Sequence, residues 1–144
     1  MSWEDWEAYF EYEASGYAYE DEENTNKAVA THLYLIDGDN NINEAIERIG
    51  IADKTDDVRI FVSQEGLFNR LNNKRYPYVK VIKVTPGAQA VDNQIKSVFG
   101  NAVKSEMYDE IYIISKDKGY DDLIQKYRSR YGIRKNKIDR RERF

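Results

Sequence analysis

Glu110–Asp122, EIYIISKDKGYDD, is the stretch from which the rest of the chain can be read. Ile111 to Ser115 join β-branched and aromatic side chains without a charge, which predicts a short buried strand. Gly119 and the carboxylates of Asp117, Asp121 and Asp122 follow, and from Tyr120 the apolar spacing turns helical. A strand that ends in acids and glycine at the mouth of a helix has two readings. One is capping, because carboxylates accept backbone N–H bonds and favour the positive end of a helix. The other is a site. A similar pattern at Leu33–Asn41, LYLIDGDNN, where an apolar strand runs into Asp37, Gly38, Asp39 and Asn40, favours one site shared by both turns.

Composition narrows the class. At 144 residues the chain fits one domain with a real core. It has no cysteine, which excludes disulfides, thiol nucleophiles and zinc–thiolate sites and agrees with a reducing cytoplasm, the expected location. The start, MSWEDWEAYFEYE, is too acidic for a signal peptide, and no apolar run approaches a membrane-spanning length, so no membrane partner is expected. The net charge of −4 hides a polarity along the chain. Residues 1–30 set nine acids against Lys27, whereas residues 123–144 set nine Lys or Arg against Asp139 and Glu142. Ends of opposite sign point to electrostatic roles, within the chain or toward partners.

Periodicity predicts alternating strands and helices. Trp3, Trp6 and Phe10 are spaced as an amphipathic helix over Ser2–Tyr12, followed by an acidic linker over Ala14–Lys27. Strands are expected at Leu33–Ile36, Val58–Val62, Tyr78–Val84 and Ile111–Ser115. Helices are expected at Ile42–Ile49, Gly66–Leu71, Ala88–Lys104 and Tyr120–Arg130, the last stopped by Gly132. Ile133–Ile138 is readable as an edge strand or as a solvated basic end. The expected fold is therefore α/β, three layers around a mostly parallel sheet of four or five strands. The expected division is an N-terminal extension over 1–30, a domain over 31–132 and a basic tail over 133–144.

Open parallel sheets gather function outside the carboxyl ends of their strands. Asp37 and Asp117 follow two strand ends directly. Asp92 lies in the first turns of the helix after the third strand, and Asp121 opens the helix after the fourth, so all four acids are expected at one edge. Carboxylates held together are most simply kept ionised by a divalent cation. Oxygen ligands without His or Cys suit Mg²⁺ or Mn²⁺, and the chemistry implied is phosphodiester hydrolysis. His32, the sole histidine, precedes the first strand and reads as structural.

LYLIDGDNN, the AVDNQI of the long helix and YIISKDKGYDDLI, in this order, resemble the PIN-like nucleases, in particular their NYN branch. The resemblance covers about Thr31 to Gly132. It implies a metal-dependent endoribonuclease acting on single-stranded or structured RNA, with Asp37, Asp92, Asp117 and Asp121 as the catalytic and metal-binding acids. Asn40 and Ser115 match the family's polar positions beside the first and third acids. Lys116 and Lys118 flank Asp117 as substrate contacts, and the basic residues from Lys126 to Arg143 offer further phosphate contacts unless they pair with the acidic extension. That extension has no counterpart in the family pattern. It is a candidate regulatory arm or a docking element for a protein partner or a second copy of the chain. The alternative function is an inactive PIN-like module that binds protein or nucleic acid. A phosphatase using Asp37 and Asp39 is disfavoured because Asn41 stands where that chemistry needs Ser or Thr.

Overall fold

In the computed structural model, which describes residues 30–40 and 42–144, five strands form one sheet. They are β1 (His32–Asp37), β2 (Asp56–Val62), β3 (Val79–Lys83), β4 (Glu110–Ile114) and β5 (Ile138–Arg141). Their order is β3-β2-β1-β4-β5, and every neighbouring pair is parallel. The connecting helices are α1 (Ile42–Ala45), α2 (Glu65–Lys74), α3 (Ala90–Ser105) and α4 (Tyr120–Tyr131), with a 3-10 turn at Ile49–Ile51. The expected three-layer α/β/α fold is therefore present. The amphipathic helix expected over Ser2–Tyr12 and the linker over Ala14–Lys27 lie outside the described residues.

Strand patterning explains the layers. Side chains alternate across a strand, and in β1 Leu33 and Leu35 face one side while Tyr34 and Ile36 face the other. Because Leu33, Leu35 and Ile36 are all fully buried, both faces of the sheet need cover. On one face Val91, Ile95, Val98 and Phe99 of α3 and Ile124 of α4 pack on Leu35, Phe61 and Ile113. On the other, Ile42, Ala45, Ile46, Ile49 and Leu71 pack on Ile36, Ile60, Val62 and Ile114.

Two elements differ from the expectation. The helix expected over Ile42–Ile49 is regular only to Ala45, because the chain tightens to shorter bonds, Glu47 N–H to Glu44 O (3.3 Å) and Ile49 N–H to Ile46 O (2.9 Å). The edge strand expected over Ile133–Ile138 begins at Ile138. Gly132, at φ 63°, ends α4, and residues 133–137 are spent on the turn, with Ile133 N–H on Arg128 O and Lys137 N–H on Arg134 O. The strand tolerates its arginines because each head finds a partner: Arg140 meets Asp121, and Arg141 lies 3.8 Å above the Tyr112 ring centroid.

From β1 the chain steps outward to β2 and β3, then returns across the sheet to β4 and β5. The reversal places the carboxyl ends of β1 and β4 side by side, where ligands bind in sheets of this kind.

Candidate active site

Asp37 ends β1 inside the protein, with 7% of its surface exposed. Gly38 is needed next to it: a Cβ there would sit 2.3 Å from Val62 Cγ1 and 2.5 Å from the Phe61 carbonyl oxygen. The close approach lets Gly38 N–H donate to Phe61 O (2.8 Å), so the chain leaves the sheet while pressed on β2. Asp39 then accepts from the Ser63 N–H (3.2 Å) and hydroxyl (2.5 Å), which ties the loop after β2 to the loop after β1.

Three donors fix the Asp37 carboxylate. Ser115 Oγ and Tyr120 Oη donate to Oδ2 at 3.3 and 3.2 Å, and Asp39 N–H donates to Oδ1 at 3.3 Å. None of these partners is positive, and no Lys, Arg or His among the described residues pairs with Asp37. Burial pushes its pKa above the ordinary carboxylate range, against the opposing pull of the three hydrogen bonds. Tyr120, fully buried, faces both Asp37 and Asp92, and burial together with these two acids holds its hydroxyl protonated as a donor.

Asp92, in the first turn of α3, completes the wall and pairs with Lys96 one turn later at 2.9 Å. Between the acids opens a cleft of about 230 Å³, lined by Asp37, Asp39, Asn40, Gly87, Gln89 and Asp92 among others. Of the acids expected to converge, Asp37 and Asp92 line this cleft. Ser115 lies beneath it, accepting Asp117 N–H (3.0 Å) while donating to Asp37.

The other expected residues are engaged elsewhere. Asp117 is exposed and closes its own turn, accepting Gly119 N–H at 2.8 Å. Asp121 is paired with Arg140 at 2.7 Å, and the same guanidinium donates to Ser115 O at 3.0 Å. Lys116 is bound to Glu44 at 2.5 Å, whereas Lys118 is exposed. His32 sits at the opposite edge of the sheet between Asp56 and Glu110, in keeping with a structural role. The four acids thus do not form one cage. Among the described residues no group of three or more acidic or imidazole side chains is placed to hold a cation.

Sequence reasoning missed Tyr120 and Gln89. An aromatic residue at a helix start reads as core, and Tyr120 is core; its hydroxyl becomes informative only once β1 and β4 are known to be neighbours. Gln89 carries no periodic signal.

One family model matches the chain, the PIN domain, over residues 31–138. The chain belongs to the PIN domain family. PIN domains have a nuclease fold, commonly act on RNA and typically use divalent metals such as Mg²⁺. No curated protein and no solved structure matched the chain. In this PIN domain the donor set fits a hydrated Mg²⁺ or Mn²⁺. It is made of oxygen, it contains a buried carboxylate without a positive partner among the described residues, and such ions bind through one or two carboxylates while keeping waters. No helix among the described residues is long and apolar enough to cross a membrane.

Proposed function

We propose that this PIN domain is a metal-dependent endoribonuclease that cuts single-stranded RNA. The observation that carries the reading is Asp37, buried at the switch point of the sheet, with no compensating cation among the described residues and with Asp92 lining the same open cleft. Asp37 and Asp92 would hold Mg²⁺ or Mn²⁺, with Asp117 reaching it through water. The ion supplies neutralisation of the phosphate and a water acidic enough to attack it.

The remaining work falls to the chain's own groups. Tyr120 and Ser115 hold the Asp37 carboxylate in one orientation, as outer partners of metal-binding groups do. Asn40 lines the cleft as a neutral contact, and Lys118 extends it toward the phosphates. Asp121 serves as the partner of Arg140. The NYN branch is supported by the order of the three matching stretches, the cytoplasm by the absence of cysteine. The acidic extension is proposed as an arm that engages the basic end, a protein partner or a second copy.

The test is cleavage of labelled single-stranded RNA in Mn²⁺. Activity should disappear in EDTA and fall at least about 100-fold in Asp37→Asn, as expected when several kcal/mol of charge stabilisation is removed. Full activity in that variant overturns the reading. The alternative, an inactive PIN-like module that binds nucleic acid or protein, is favoured by the internal pairs Asp121–Arg140 and Asp92–Lys96. It predicts binding without cleavage by the intact chain.

A further inference from the structure

Four non-glycine residues of the described chain have positive φ: Arg75, Tyr78, Gln89 and Glu106. Arg75 and Glu106 close helices α2 and α3, where the left-handed conformation is common, and each N–H bonds back to its helix. Tyr78 follows Pro77 in the turn into β3. Gln89 differs. It stands at the start of α3 with φ 57° and ψ 25°, where an extended backbone is the rule, and its side chain makes no capping bond. A glycine or asparagine would take this conformation with less strain.

The strained residue lies on the wall of the cleft. Gln89 and Asn40 are its two carboxamides, and neither side chain has a hydrogen-bond partner among the described residues. Asp37 and Asp92 line the same space, so a phosphate brought to the acids would bring its nucleotide to the amides. A carboxamide offers a donor beside an acceptor, the pattern that complements the Watson–Crick edge of an unpaired base, and it adds no charge to compete for a cation.

We propose that Gln89 is a substrate-contact residue that hydrogen-bonds the edge of an unpaired nucleobase next to the scissile phosphate, and so sets a preference for single-stranded over duplex RNA. A base already paired has no free edge to offer. The inference rests on the ribonuclease reading and deepens it.

The experiment compares the parent with Gln89→Gly and Gln89→Ala on fluorescein-labelled single-stranded RNA and on the same strand annealed to its complement. Gln89→Gly relieves the backbone, so its melting temperature should equal or exceed the parent's. Its single-strand cleavage in Mn²⁺ should nevertheless fall about tenfold, mainly through KM, while duplex cleavage changes little, so the ratio between the two substrates narrows. Gln89→Ala should lose the same preference while keeping the strain. A stabilised Gln89→Gly with the parent's rate and ratio overturns the proposal and leaves only a backbone role. Should the parent bind RNA without cutting it, the same ratio is read from fluorescence anisotropy and judged in the same way. If the parent neither binds nor cuts RNA, the ribonuclease reading itself fails, and the parent's own assay shows this before any variant is compared.

Discussion

At Asp37 one buried carboxylate carries opposite demands of folding and binding. Its pKa is raised in the folded protein, so the native state keeps a proton that the unfolded chain has already lost. Stability must then fall as pH rises from the ordinary carboxylate range through the raised value. Asp37→Asn removes that loss. Without metal the variant should be more stable than the parent at neutral pH, and the advantage should vanish below the ordinary carboxylate range. On the proposed metal-dependent reading, a divalent ion should reverse the ranking. At a hundredfold excess over Kd it adds about 2.7 kcal/mol to the parent, or roughly 5–10 °C at about 2–4 °C per kcal/mol. Asp37→Asn should lack this rise. Thermal unfolding from acid to neutral pH, with EDTA and with Mg²⁺, checks both outcomes. A parent as stable as the variant in EDTA at neutral pH would show that the carboxylate is not strained by burial.

The elements that present the site differ in how openly the sequence announces them. β1 and β4 could be read because apolar runs stop at Asp-Gly and Ser-Lys-Asp, and α3 placed Asp92 because a crossover returns each helix start to the carboxyl edge. β5 could be read only as one of two options and several residues too early, since its sequence IDRR hides a single buried contact, Ile138, among charges whose partners are distant in sequence. Arg140 finds Asp121 across 19 positions, and no local pattern encodes that pair. For the same reason Asp121 read as a site residue: its spacing is that of an acid at a helix mouth, and only packing shows the guanidinium beside it, which holds its own pKa up through that hydrogen bond. Asp121 remains 49% exposed, so the pair should be modest in energy. Asp121→Asn is expected to lower stability by about 1 kcal/mol or less in urea unfolding. Mn²⁺-dependent cleavage should stay within about threefold of the parent, as for substitutions away from the reacting groups. A much larger loss of cleavage would make Asp121 a ligand that leaves Arg140 when metal binds.

For the molecule as a whole, part of the basic C-terminal region is committed to its own fold. Arg128 holds Asp139 and the Ile138 carbonyl, Arg140 holds Asp121, and Arg143 reaches Glu44. Lys118, beside the Asp117 turn, and Lys126, on α4, are exposed. RNA binding should therefore depend on salt less steeply than the count of basic residues suggests. Lys118→Ala and Lys126→Ala should each weaken binding alike for all sequences and reduce the slope of log K against log salt by roughly 0.7, the value for one phosphate of a single strand. Titration by anisotropy at several salt concentrations gives that slope, and an unchanged slope would place the RNA elsewhere.

Every neighbour in this sheet is parallel, so no strand can pair with the next through a simple hairpin. Asp37 meets Ser115 and Tyr120 across 78 and 83 positions of the chain. During synthesis the first acid emerges long before the groups that orient it, and nothing can complete the cleft until β4 has left the ribosome and docked. A ribosome-bound chain halted before β4 has therefore not yet gathered around Asp37 the hydroxyls that hold its carboxylate.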